Sequence, residues 1–198
     1  MKHDRLFPTH VYLYDNVIDN DSLLNIRKHI ASSYNQELKN WQSQADLHTN
    51  VIYKNLVNAI LKNSLDIFTS LGYDFDGFNI TNMWSNVLKP GEEHKVHTHS
   101  NNYLSGVFYV EAEKTSSIIF KDPRPQADVI SPKFTKTNVD NANTITYDSA
   151  SNRMILFPSW LQHYVPINFS NKNRISIAFN IMFKGKVGSS REYQSAEF

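Results

Sequence analysis

From Phe75 onward, short extended segments alternate with clusters of Pro, Gly, Asn and Ser, and this pattern narrows the possible folds more than any other feature of the chain. Helical periodicity is absent there, and such segments are typical of sandwiches or barrels of antiparallel strands. Residues 122–142 have no clear pattern and are predicted to form a long loop. Strands are expected at 77–88, 95–99, 103–112, 116–121, 143–148, 153–158, 162–168 and 173–183.

The first 72 residues follow a different pattern, in which apolar side chains recur every three or four positions. Asn20 or Asp21 is expected to cap a first helix, which should end near 33–35. A second helix is expected from Tyr53 to Leu71, because its apolar side chains form one stripe and a glycine follows at the position of a C-terminal cap. The stretch around Trp41, between the two helices, is predicted to be a polar loop.

The composition changes near residue 72, but no Gly/Ser linker marks the change. A chain of 198 residues with 40% hydrophobic and 13% aromatic side chains can bury one large core. We therefore expect residues 1–198 to form a single domain, in which 1–72 are helical support and 73–198 are the β core.

Charge and hydropathy limit the partners of the chain. Twenty basic residues against nineteen acidic ones give a formal charge of +1, which predicts no attraction to nucleic acid or to an anionic membrane surface. No apolar run approaches the ~18 residues of a membrane span, and no leader sequence is evident. The sequence thus predicts a soluble cytoplasmic protein that acts on a small molecule or a protein.

The chain contains no cysteine, which excludes disulfides and thiolate ligands to a metal. Imidazole and carboxylate groups remain as the available ligands. Hard or borderline metals are therefore favoured.

Three of the eight histidines lie within six residues, at His94, His97 and His99. Because side chains on a strand alternate between faces, His97 and His99 are expected on the same side, with the spacing of a chelating metal site. His94 is three residues from His97, so we expect it on the opposite face and exclude it as a ligand. The simpler interpretation is that these histidines are exposed on a polar strand edge.

The last predicted strand is amphipathic and follows another histidine, His163, by about ten residues. One face carries Arg174, Ser176, Ala178 and Asn180, whereas the other face is apolar. A small polar face with one cation suits the wall of a pocket that binds a carboxylate. Arg174 and Ser176 are thus the predicted anion-binding pair, and a surface ion pair of Arg174 is the competing interpretation.

A third strand adds two candidates for the same pocket. Trp84 and Asn86 share one face of the strand that precedes the histidine cluster. Asn86 is a candidate to bind a cofactor, whereas core packing explains Trp84 at least as well.

Taken together, five motifs resemble those of the iron(II)/2-oxoglutarate-dependent oxygenases, and more narrowly an oxygenase subfamily of bacteria and phages. The resemblance covers about residues 80–183, and five motifs in one order are more specific than any of them alone. The motifs are His97-Thr-His99, Leu104-Ser-Gly-Val-Phe-Tyr109, Asp122-Pro-Arg124, Phe157-Pro-Ser-Trp160 with His163, and Arg174-Ile-Ser176.

The resemblance implies an α+β fold, a double-stranded β-helix (jelly-roll) barrel supported by the N-terminal helices. It also implies iron(II) and 2-oxoglutarate as cofactors, with His97 and His163 as two metal ligands and the distal carboxylate of 2-oxoglutarate on Arg174 and Ser176. Such an enzyme decarboxylates 2-oxoglutarate to succinate and carbon dioxide and typically hydroxylates its substrate.

The sequence departs from the resembled pattern at His99, where the family usually has a carboxylate. We predict that His97, His99 and His163 are the catalytic metal ligands, with Glu93 or Asp122 as alternative oxygen donors. Three imidazoles also suit zinc, so two other interpretations remain: a zinc-holding or metal-free jelly roll for binding or structure, and a zinc hydrolase or cupin-like isomerase. The pair of Arg174 and Ser176 favours the oxygenase.

Overall fold

The computed structural model describes residues 1–2, 4–124, 126 and 129–198. Its helices are α1 (Asn20–Ser33) and α2 (Lys54–Ser70), and its strands are β1 (Tyr12–Asp15), β2 (Trp41–Gln42), β3 (Gly77–Leu88), β4 (His94–His97), β5 (Leu104–Glu111), β6 (Ile118–Lys121), β7 (Thr144–Tyr147), β8 (Arg153–Pro158), β9 (His163–Val165), β10 (Arg174–Lys184), β11 (Lys186–Val187) and β12 (Ala196–Glu197).

Both predicted helices are present, with small differences at their starts. Asp19, rather than Asn20 or Asp21, caps α1, because its backbone is extended and its carboxylate accepts the amide hydrogen of Ser22 at 2.8 Å. A 3₁₀ turn at Val51–Tyr53 precedes α2. After α2, Gly72 has a φ of +70°, the left-handed conformation of a C-terminal cap.

All eight predicted strands are present, and those corresponding to β3 and β8 have the predicted bounds. The strand expected at 162–168 is shorter, because Pro166 follows Val165 and cannot donate to a ladder. Trp41, predicted in a loop, instead lies in the short strand β2, which pairs with the edge of β3. Between β6 and β7, the described residues contain no α-helix or strand.

Ten of the described strands form two antiparallel sheets in the jelly-roll arrangement, and β11 and β12 pair separately. The six-stranded sheet has the order β1-β8-β5-β10-β3-β2, and the four-stranded sheet has the order β4-β9-β6-β7. Strands distant in the chain thus become neighbours, which brings the two histidine-containing strands β4 and β9 side by side.

Two apolar clusters stabilise this arrangement. The larger lies between the helices and one face of the six-stranded sheet, and includes Ile26, Ile60, Phe68, Phe108 and Phe179. The smaller lies between the two sheets, where Tyr109, Ile118, Phe120, Ile155 and Phe157 are buried. The polar face of β10 therefore points into the space between the sheets.

None of the helices in the described part of the chain combines the length and apolar character needed to cross a bilayer.

Candidate metal and cosubstrate site

Three histidines converge at one end of the space between the sheets. His97 is the register partner of His163 across β4 and β9. His99 follows the end of β4, and its backbone N–H donates to the carbonyl oxygen of Ser159 at 2.9 Å, which fixes this segment beside the start of β9. The predicted histidines are thus brought together, although His99 lies just outside the strand.

The ligand atoms of these three rings lie within 4.8 Å of one another. The Nε2 atoms of His99 and His163 are 3.4 Å apart, and the ring centroids of His97 and His163 are 4.3 Å apart. Two imidazole nitrogens bound to one ion at about 2.0–2.1 Å lie roughly 2.8–3.4 Å apart for angles between about 90° and 110°. The spacing of His99 and His163 therefore fits two ligands of a single divalent ion, and a ring nitrogen of His97 lies within 4.8 Å of both.

Backbone carbonyl groups fix the tautomers of two of the rings. Nδ1–H of His97 donates to the carbonyl oxygen of Lys95 at 2.7 Å, and Nδ1–H of His163 donates to that of Leu161 at 2.9 Å. A carbonyl oxygen can only accept, so each Nδ1 carries the proton and each Nε2 keeps its lone pair. Hydrogen bonds of this kind orient metal-binding histidines in many proteins.

The electrostatics of the site also favour neutral imidazoles. Burial lowers the pKa of His163 to about 3, and the neighbouring imidazoles add to the effect. Burial, followed by the proximity of His97, lowers the pKa of His99 to about 4. Both rings are uncharged at neutral pH, which is the state that binds metal.

Neither alternative carboxylate joins the cluster. Asp122 is bound by Arg124, whose Nε and Nη2 donate to its two carboxylate oxygens at 2.9 and 2.8 Å. Glu93 lines the adjoining cavity, but it is not among the groups that converge. Within the described residues, the group that could hold a metal here consists of imidazoles alone.

The histidines open onto a cavity of about 380 Å³ between the two sheets. Arg174 and Ser176 line its wall, as does Asn86, so the predicted metal and anion groups share one chamber. Trp84 contributes its ring beside His99, with centroids 6.0 Å apart.

Arg174 is 1% exposed and has an unusual environment for a buried cation. Its guanidinium donates to the carbonyl oxygen of Ser116 at 3.0 Å and to Oγ of Ser176 at 2.9 Å. No carboxylate of the described residues forms an ion pair with it. Burial lowers its pKa, as expected when a cation lacks a counterion. Such a group is stabilised by an anionic ligand.

Tyr109 is a further polar residue beside Arg174. It was not predicted from the sequence as a site residue. Its ring lies beneath the guanidinium, with Cζ of Arg174 5.0 Å from the ring centroid. The phenol is fully buried, yet its hydroxyl has no hydrogen-bond partner in the described structure. Buried hydroxyl groups rarely lack a partner, so this one is available to a ligand held by Arg174. Only the register of β5 against β10, which places Tyr109 opposite Ser176, reveals it.

Asn86 is held in a defined orientation at the wall. Its Oδ1 accepts hydrogen bonds from Nε2 of Gln42 at 2.8 Å and from Nε1 of Trp84 at 3.2 Å. Two donors on Oδ1 leave the amide NH₂ as the group available to another partner.

The expectation that His94 faces away from the site is wrong. A β-bulge separates the register pairs His94–Val165 and His97–His163, so three residues of β4 span two of β9. The extra residue reverses the alternation, and His94 lines the cavity. Burial, with Arg174 as the next cause, lowers the pKa of His94 to about 4.

A family model described as "Putative 2OG-Fe(II) oxygenase" matches residues 82–180, which is half of the chain. The chain belongs to this oxygenase family. The sequence-based prediction of an iron(II)/2-oxoglutarate-dependent oxygenase is therefore confirmed at the level of enzyme class. The matched region runs from β3 to β10 and includes all three convergent histidines as well as Arg174 and Ser176.

Solved structures confirm the jelly-roll fold of this oxygenase. The alpha ketoglutarate-dependent epimerase SnoN from nogalamycin biosynthesis superposes with a TM-score of 0.64 at 10% identity, covering 88% of this chain and 78% of SnoN. HygX from Streptomyces hygroscopicus, solved with nickel and 2-oxoglutarate, gives 0.62 at 10% identity, with 88% and 83% covered. A Pseudomonas putida prolyl-4-hydroxylase gives 0.61 at 12% identity, with 88% and 92% covered. A comparison with curated proteins gives no match.

Proposed function

We propose that this oxygenase couples oxidative decarboxylation of 2-oxoglutarate to hydroxylation of a substrate, with His97, His99 and His163 as its metal ligands. One oxygen atom of O₂ enters succinate and the other enters the hydroxylated product, with release of carbon dioxide. The main support for the proposal is that the three imidazoles and the buried guanidinium of Arg174 line one cavity. Among the described residues, that guanidinium has no carboxylate partner.

The metal is assigned to the Nε2 atoms of the three histidines, because the Nδ1 atoms of His97 and His163 donate to backbone carbonyl groups and Nε2 of His99 faces Nε2 of His163. Iron(II), when bound, supplies the centre at which O₂ is activated and the 2-oxo acid is chelated. Backbone contacts from Lys95 and Leu161 keep two of the rings oriented. Neutral ligands give the site more positive charge than a site with one carboxylate, which favours a dianionic cosubstrate.

The distal carboxylate of 2-oxoglutarate is assigned to Arg174, Ser176 and Tyr109. The guanidinium supplies the charge, and the two hydroxyl groups supply further hydrogen bonds. Because Arg174 is braced by Ser116 and lies on the ring of Tyr109, its position is fixed before the ligand binds. Pre-organisation of this kind reduces the entropic cost of binding.

Asn86 and Trp84 are assigned to the wall beside the cosubstrate. The indole excludes water from one side of the cavity and holds the amide of Asn86 by its N–H donation. Water exclusion matters because a dry site strengthens the contacts of the charged cosubstrate.

The experiment that tests this proposal is calorimetric titration of 2-oxoglutarate into the purified protein, without oxygen, in the presence and absence of manganese(II). Binding that requires the metal supports the proposal, and succinate formed from 2-oxoglutarate with iron(II) and O₂ then confirms turnover. Absence of 2-oxoglutarate binding to the metal-loaded protein would refute it and favour the zinc-enzyme or binding-module interpretations.

A further inference from the structure

The β-bulge in β4 has a consequence at the far end of the cavity. In a regular antiparallel ladder the partner of Val165 would be Lys95, two residues from His97, as Val165 is two residues from His163. The bulge gives that position to His94 instead. The imidazole therefore lines the cavity one register step beyond the metal-binding histidines.

That step corresponds in length to a cosubstrate chelated at the histidines. Two residues of a strand span about 6–7 Å, which is comparable with the reach of a five-carbon diacid from its 2-oxo end to its distal carboxylate. Arg174 lies in the same chamber, and its charge acts on His94. The imidazole belongs to the four-stranded sheet, whereas Arg174 and Ser176 belong to the six-stranded one.

The side chain of His94 is free to bind a ligand. No hydrogen bond to its ring is formed by the described residues, in contrast with His97 and His163, whose Nδ1 atoms are bound to carbonyl groups. It is also absent from the convergent metal group. The imidazole of His94 and the guanidinium of Arg174 line the same cavity, and both can donate to one carboxylate.

We infer that His94 binds the distal carboxylate of 2-oxoglutarate from the side opposite Arg174, and so selects a dicarboxylic 2-oxo acid over a monocarboxylic one. The inference rests on the cosubstrate assignment given above. In this arrangement the two sheets each contribute a donor, and the carboxylate bridges them. Pyruvate has the same metal-binding end but no distal carboxylate, and it therefore does not reach His94.

The test compares 2-oxoglutarate and pyruvate as ligands of the manganese-loaded protein by calorimetry without oxygen. His94→Ala is expected to weaken 2-oxoglutarate binding about tenfold or more, as befits one hydrogen bond to a charged group. Pyruvate binding and manganese affinity are expected to stay unchanged. His94→Gln, which keeps a donor, should recover part of the loss, and His10→Ala, at an exposed histidine, is the matched control.

Equal weakening of both ligands by His94→Ala would overturn the inference, since the residue would then act on the metal end. Unchanged 2-oxoglutarate binding would overturn it as well. Failure of the cosubstrate assignment itself is distinguishable, because the wild-type protein would then bind 2-oxoglutarate no better than pyruvate before any variant is compared. Thermal unfolding of each variant verifies that the fold is intact.

Discussion

His99 and His163 present their Nε2 atoms to each other at 3.4 Å, although 64 residues separate them in the chain. Their rings are parallel. Nε2 of His163 is the acceptor, because its Nδ1–H donates to the carbonyl oxygen of Leu161, so without a metal Nε2–H of His99 can donate to it. The same spacing suits a shared metal ion, which would accept a lone pair from each ring once His99 carries its proton on Nδ1.

Removal of His163 is expected to abolish binding of one divalent transition metal per chain. His163→Ala deletes a ligand at the buried end of the cluster, where water is a poor replacement. Metal analysis and thermal stabilisation by iron(II) or manganese(II) measure the effect, with His10→Ala as the control. Unchanged metal content and stabilisation in His163→Ala would show that the metal lies elsewhere.

A pair of variants tests whether His99 binds the metal itself or only orients another ligand. His99→Asp is expected to keep or raise metal affinity, because a carboxylate adds negative charge next to a cation. His99→Ala is expected to lower affinity, and loss of a group that merely orients another ligand also costs about 10–100-fold. Metal titration monitored by tryptophan fluorescence, to which Trp84 beside His99 contributes, reports both variants. A lower affinity of His99→Asp than of His99→Ala would contradict a ligand role.

Arg174→Ala is expected to weaken 2-oxoglutarate binding by about 2 kcal/mol or more, because a charged contact is lost from a buried site. Metal binding should survive. Arg124→Ala is the matched control, since that guanidinium is exposed and paired with Asp122. Calorimetry that gives equal losses for the two arginine variants would place the anion site away from Arg174.

Gly106 is expected to tolerate no side chain, because a Cβ there would collide with the ring of Phe179 and approach the carbonyl oxygen of Ile155 to 3.0 Å. Phe179 is fully buried and cannot move aside. Gly106→Ala should reduce the free energy of unfolding by about 1–3 kcal/mol, as measured by urea denaturation. Gly77→Ala, which meets only the flexible end of Lys184, is the control. Equal stability of the two variants would contradict this packing.

The helical third is predicted to be scaffold rather than a separable domain. Ile26, Ile60 and Phe68 from the helices share one core with Phe108 and Phe179 from the six-stranded sheet. A fragment of residues 75–198 would expose that face of the sheet and is expected to aggregate. A soluble fragment that unfolds cooperatively would show instead that the boundary near residue 72 divides two domains.

Much of the fold was predictable because periodicity is local. The strand at Gly77–Leu88 and the cap at Gly72 follow from patterns within a few residues. The shared face of Arg174 and Ser176 was predictable for the same reason, since side chains two residues apart on a strand lie on one face. The same spacing predicted that His97 and His99 lie close together, although His99 lies just beyond the end of β4.

The features that were not predicted, above all the places of His94 and Tyr109, depend on pairing between distant strands. His94 was misplaced because its bulge is defined only against Val165 of β9, which the local spacing does not encode. Tyr109 was missed because it lies within an apolar run, and only the pairing of β5 with β10 brings it beside the guanidinium of Arg174. The cap at Asp19 differs from the prediction by one residue, since several adjacent side chains were suitable.

The most direct test of the three-histidine site is a crystal structure of the protein grown with manganese(II) and 2-oxoglutarate, with the metal located by anomalous scattering. The site described above predicts one metal ion with the Nε2 atoms of His97, His99 and His163 at about 2.0–2.2 Å. It also predicts the distal carboxylate of 2-oxoglutarate on Arg174. A metal ion held by Glu93 or Asp122, with the ring of His99 outside bonding distance, would contradict it.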